Sequence, residues 1–213
     1  MKKLNDQKIG IFQYSSCNTS SIINALKMIK AKYFLSENFI EINQFSKIIL
    51  PGVGNMNNIP QIYLRKMKLD IDRYLDSGGM IYGICLGLQI LFDESLESND
   101  KALGIIKGRV LPVEQDFKIG LSVGFHKIEL TQNIETNPLF SKLFKNVDKN
   151  DRFYFLHKYY CKSVDQKVDS INVKINNKSM PIVFQKGNVI GTQFHPELSK
   201  NPGLKILKNF INI

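Results

Sequence analysis

The sequence predicts an α/β protein with an open, mostly parallel central sheet, helices on both faces and a strand-rich second half. Two observations carry this: short apolar runs alternate with helix-periodic stretches through the first hundred residues, and two of those runs end in glycine-bearing turns. With 213 residues and 43% of them hydrophobic, the chain can fill one full core, and all of 1–213 is expected to form a single domain.

The apolar run Ile9-Gly10-Ile11-Phe12 marks a strand near 8–14, and a helix is expected over 19–30. Strands follow near 33–40 and 46–50, then a helix over about 59–76, a strand over 80–84 and a helix over 86–94. The second half offers strands at 103–112, 123–130, 153–160, 170–176 and 181–194, with Lys186-Gly187-Asn188 as a hairpin turn inside the last. A short helix over 202–211 closes the chain, because Leu204, Leu207 and Phe210 recur at helical spacing. Open α/β sheets bind ligands beyond the carboxyl ends of their strands. The turns after 50 and 84 fall there.

Composition narrows the function. The net charge is +10, carried by 25 Lys against 4 Arg. These lysines are scattered among acidic residues, with no clustered or aromatic-interleaved patch, so the charge reads as solvation and no nucleic-acid partner is expected. No run is long enough to span a membrane, and the apolar stretch after Met1 to Lys8 is too short for a signal peptide. Three cysteines at 17, 85 and 161 show no metal or redox spacing, which fits a reducing cytoplasm. Neither a metal nor a cofactor is expected.

The chemistry centres on Cys85. It sits where the apolar run Met80-Ile81-Tyr82-Gly83-Ile84 turns into Leu86-Gly87-Leu88-Gln89, a strand-to-helix bend with glycines two residues to either side. So sharp a bend needs small neighbours, and a thiol above a helix N-terminus is favoured as thiolate. Far downstream, His195 precedes Pro196, which biases it towards extended geometry. Residues two apart then share a side, bringing the Glu197 carboxylate to the His195 ring. Alone, His-x-Glu would be a surface coincidence; with the cysteine bend it supplies nucleophile, base and orienter for acyl transfer. Pro51-Gly52-Val53-Gly54, after the strand at 46–50, could expose backbone N–H groups to an oxyanion, although by itself it reads as an ordinary turn.

The cysteine bend, the His195-Pro196-Glu197 run and the Pro51-Gly52-Val53-Gly54 loop, in that chain order of loop, nucleophile and base, resemble the class I (triad) glutamine amidotransferases. Within them the chain is most similar to the glutaminase subunits of imidazole glycerol phosphate synthases. Further matching segments are Tyr14 to Ala25, where Asn18 opens a helix, Leu103 to Val110, Gly124-Phe125 and Phe153 to Tyr160. The resemblance implies hydrolysis of L-glutamine through a Cys85 thioester, with His195 moving the proton and Glu197 orienting it. It places the oxyanion on backbone N–H groups near Gly52, Val53 and Leu86. It assigns substrate binding to Gln89 and to the backbone around His157 and Lys158. Taken alone, Gln89 reads as a solvent-facing helix residue and His157 as a hydrogen-bonded core histidine. The implied partner is a (βα)8-barrel synthase that receives the ammonia, forming imidazole glycerol phosphate and AICAR in histidine biosynthesis.

Departures from the family pattern cluster away from the triad. Leu121-Ser122-Val123-Gly124-Phe125-His126 stands where relatives usually carry a Pro-His-x-Gly-Trp-Asn run, and Gln13, Ser15, Cys17 and Lys158 also differ. Several of these segments would face the barrel. A paralogous subunit supplying ammonia for amidation of bacterial surface sugars is therefore the competing role, and compositional drift accounts for the changes equally well. An α/β-hydrolase is disfavoured because here histidine precedes the acid. A catalytically silent binding subunit is the remaining rival.

Overall fold

The computed structural model describes residues 8–14, 17, 19–98, 100–128 and 133–213. The expected helix-opening residue Asn18, with Ser15, lies outside them, as do positions 129 and 130 of the expected strand at 123–130. In chain order the elements are β1 (Ile9–Phe12), α1 (Ser20–Met28), β2 (Tyr33–Ser36), α2 (Phe39–Ile42), β3 (Lys47–Leu50), α3 (Gln61–Asp76), β4 (Met80–Ile84), α4 (Leu86–Gln89), β5 (Glu94–Ser95) and β6 (Asp100–Lys101). They continue with β7 (Gly108–Pro112), α5 (Val113–Phe117), β8 (Ser122–Lys127), α6 (Asn133–Thr136), α7 (Pro138–Leu143), β9 (Arg152–His157), β10 (Tyr159–Ser163), β11 (Asp169–Ile175), β12 (Lys178–Lys186), β13 (Val189–Thr192) and α8 (Lys200–Asn212).

Among the described residues the central sheet has seven strands in the order β11-β12-β13-β4-β3-β1-β2. From β13 to β2 all neighbours run parallel, while β11 and β12 attach antiparallel at one edge. Side chains alternate across it. Ile49, Tyr82 and Ile84 join α1 and α8 in one core, whereas Ile48, Leu50 and Ile81 join α3 in the other. Helices thus cover both faces, and none of the described helices is long and apolar enough to cross a membrane.

The differences from expectation have local causes. The strand near 33–40 stops at Ser36, because Asn38 accepts the Ile40 N–H at 3.0 Å and caps the single turn α2. The helix over 86–94 ends at Gln89. The N–H groups of Leu103, Gly104 and Ile105 bond to the carbonyls of Ile90, Phe92 and Leu91, so the segment expected to open a strand at 103 instead caps this helix. The strand over 153–160 is two strands, β9 pairing with β8 and β10 with β7, and the chain changes sheets at Lys158, whose carbonyl accepts the Val113 N–H at 2.8 Å. The last long strand is the hairpin β12–β13, turning through Gly187 at φ +54°.

Candidate active site

Cys85 lies between the carboxyl end of β4 and α4 with φ +49° and ψ −104°, outside the usual regions for a residue with a side chain. Such backbone costs of order 1–3 kcal/mol and persists only where its surroundings over-determine it. Here its N–H is bound to the Thr192 carbonyl at 2.8 Å, and its own carbonyl accepts from Leu88 and Gln89. The flanking glycines serve different ends. A Cβ on Gly83 would strike Gly87, as the sequence argument requires, but one on Gly87 would strike the Leu50 carbonyl of β3. With α4 only one turn long, the bend offers the unpaired first N–H groups of a helix but little aligned dipole. That weakens the helix contribution expected at the sulfur, which is hydrogen-bonded instead with His195.

His195 reaches Cys85 because β13 lies parallel to β4, Thr192 opposite Ile84. The residue is extended (φ −98°, ψ 96°), and its N–H meets the Tyr154 carbonyl at 2.8 Å. Its Nδ1 contacts Glu197 Oε1 at 2.8 Å with both side chains almost wholly buried. Glu197 sits in a 3₁₀ turn, Pro196–Leu198, so it meets the ring through the turn and not through the expected period-two alternation. Burial alone would push the His195 ring down. Attraction to and hydrogen bonding with Cys85, then with Glu197, outweigh it and hold the ring well above its ordinary value.

Beside the thiol is a cavity of about 230 Å³ lined by Gly54, Gln89, Glu97, Leu156, His157 and Lys158, among others. Gln89 is buried and donates to the Tyr159 carbonyl at 3.2 Å; it is not solvent-facing. His157 gives Nδ1 to the same carbonyl at 2.8 Å, burial lowers its ring to about 4, and its Nε2 has no partner among the described residues. It is a neutral histidine with a lone pair to offer. Lys158 is exposed at the rim. The Pro51 loop packs directly on the bend: a Cβ on Gly52 would meet Ile84, Leu86 and Gly87 backbone, and the Tyr14 hydroxyl donates to the Pro51 carbonyl. The carbonyl and the Gly52 N–H belong to one peptide and point oppositely, so this bond also fixes where that N–H is aimed. Val53 is partly exposed next to it.

The sequence pattern of the family described as Glutamine amidotransferase class-I matches residues 12–213. The chain belongs to this family. Among curated relatives, the imidazole glycerol phosphate synthase subunit HisH of Methanocaldococcus jannaschii is 37% identical, over 96% of this chain and 99% of that protein. The subunit of the same name from Geobacillus sp. is 35% identical over 96% of each. A solved glutamine amidotransferase superimposes with a TM-score of 0.68 at 16% identity, covering 96% of this chain and 99% of that one, a likeness of fold.

Two further residues of this amidotransferase reach the site unannounced. Glu97 lines the cavity, one carboxylate oxygen taking the Met56 N–H at 3.0 Å. Burial raises its carboxyl. No spacing in the sequence signals this, because a turn and an irregular segment bring it in. Gln193 is fully buried and donates to Cys85 Sγ at 3.6 Å. It stands in the bend between the end of β13 at Thr192 and His195, where no periodic pattern marks it.

Proposed function

We propose that the chain is the glutaminase subunit of an imidazole glycerol phosphate synthase, hydrolysing L-glutamine and passing ammonia to a (βα)8-barrel subunit in histidine biosynthesis. The observation that carries this is a buried His195–Glu197 pair facing a strained, glycine-flanked Cys85, in a family member whose HisH relatives align over nearly their full length. The Cys85 thiolate attacks the side-chain amide carbon, and the oxyanion is met by N–H groups near Gly52, Val53 and Leu86. Protonated His195 gives its proton to the departing ammonia as the C–N bond breaks, leaving a thioester. Water, deprotonated by His195, then attacks; the C–S bond breaks, its electron pair returns to sulfur, and glutamate leaves. Residues 1–213 form one amidotransferase domain in this scheme, and its free thiols suit the cytoplasm.

Substrate recognition follows from the cavity. Gln89 and the backbone at His157 and Lys158 hold the amino-acid head group, and Glu97 pairs with its ammonium. Glu97→Gln should raise KM for glutamine about 10- to 100-fold, the loss of one charge-assisted hydrogen bond, with kcat little changed. Steady-state kinetics decide it: an unchanged KM removes Glu97 from the substrate.

The barrel's docking face is apolar. Leu121, Val123 and Phe125 at β8 and Leu156 on β9 are exposed side by side, and Leu121 and Leu156 also line the cavity, so a partner seated there would close over the substrate. Glutamate release measured with and without the histidine-pathway barrel tests the assignment. Strong stimulation is expected, and none with a folded, substrate-loaded partner would refute it. The altered run at 121–126 lies on this face, which favours one second reading, a barrel from surface-sugar amidation. Stimulation by that barrel alone would establish it.

A further inference from the structure

Gln193 has no role in the scheme above, yet its side chain touches the reacting sulfur. Nε2 donates to Cys85 Sγ at 3.6 Å, Oε1 is buried without a partner among the described residues, and the main-chain N–H is tied to the Ile182 carbonyl at 2.7 Å. A carboxamide sealed from water needs its hydrogen bonds, and a neutral thiol is a weak acceptor whereas a thiolate is a strong one. We propose that Gln193 is a further catalytic residue, its amide N–H stabilising negative charge on the Cys85 sulfur.

The role deepens the glutaminase reading and rests on it. Charge sits on sulfur at two moments. In the resting enzyme the thiolate faces His195 on one side and Gln193 on another. When water has added to the thioester and the C–S bond breaks, the electron pair returns to sulfur, and the same N–H meets it. The other titratable groups around this sulfur are Glu97, His157, Lys158 and Tyr159 in the cavity lining, with Tyr14 and Cys161 near enough to interact with it electrostatically. Among the described residues, none of these donates a hydrogen bond to the sulfur.

The test is the pH profile of Cys85 alkylation by chloroacetamide on the purified chain, which needs neither glutamine nor partner. Gln193→Met keeps the volume and removes the donor; Gln193→Glu replaces the donor with a carboxylate. The profile should move up by about one pH unit in the first and further in the second. A merely structural role would not order the two variants by charge. Unmoved profiles in folded variants would overturn the role. Should either variant unfold, NMR of the unmutated protein answers instead: the Gln193 side-chain amide protons should shift as Cys85 ionises and lose that transition in Cys85→Ala, and amide signals blind to the ionisation would equally overturn it. Stimulated glutamate release by the unmutated complex is scored separately, so the failure of this role and of the glutaminase reading are told apart.

Discussion

Cys85→Ala is expected to reduce glutamine-dependent product formation to background, a loss on the order of 10⁴-fold or more, while the complex continues to use free ammonia. The asymmetry follows from where the residue sits. Removing one sulfur leaves untouched the main-chain bonds that shape the bend, from Cys85 N–H to Thr192 and from Leu88 and Gln89 to the Cys85 carbonyl. The fold, the docking face and the partner's own site should therefore persist. Parallel assays with glutamine and with ammonium salt on the purified complex read the division directly. Loss of both activities in a folded complex would contradict it, as would a surviving glutaminase rate.

Glu197→Gln should lower the glutamine-dependent rate by about 10²- to 10⁴-fold without removing any reacting atom. Burial opposes the charged form of His195, and the interactions with Cys85 and Glu197 override it. Without the carboxylate charge, the ring's titration should fall, visible by imidazole NMR. Stability carries the same signature. His195 binds its proton more tightly folded than unfolded, so its contribution is complete below about pH 6.5 and is lost as pH rises through the higher folded value. The variant should show less of this alkaline decline in denaturation measured across pH. An identical decline, with an unmoved ring, would mean that Glu197 orients the imidazole without charging it.

Much of the architecture was legible because it depends on patterns with a fixed period. The apolar runs ending at Phe12, Leu50 and Ile84 became the parallel strands β1, β3 and β4, and the cysteine bend was legible because a close backbone approach leaves glycines behind. What escaped was set by partners remote in sequence. The end of α4 at Gln89 goes with the 103–106 segment taking the carbonyls of Ile90, Leu91 and Phe92, which a longer helix would need, and the break at Lys158 with β8 and β7 each claiming one half of the 153–160 run. Neither leaves a periodic trace. Within the site, Cys85 was readable from its glycine-flanked turn and the His195–Glu197 pair from its spacing, although a 3₁₀ turn and not alternation makes that contact; Gln193, in a bend after β13, and Glu97, anchored by the Met56 N–H, left no such pattern.

The pairing of β4 with β13 joins neighbours in space that are far apart along the chain, and it brings Cys85 and His195 together. During synthesis the ribosome delivers the thiol first, with no imidazole to activate it. The nascent polypeptide thus carries a sulfur without its base until β13, the last of the described strands along the chain, has been made.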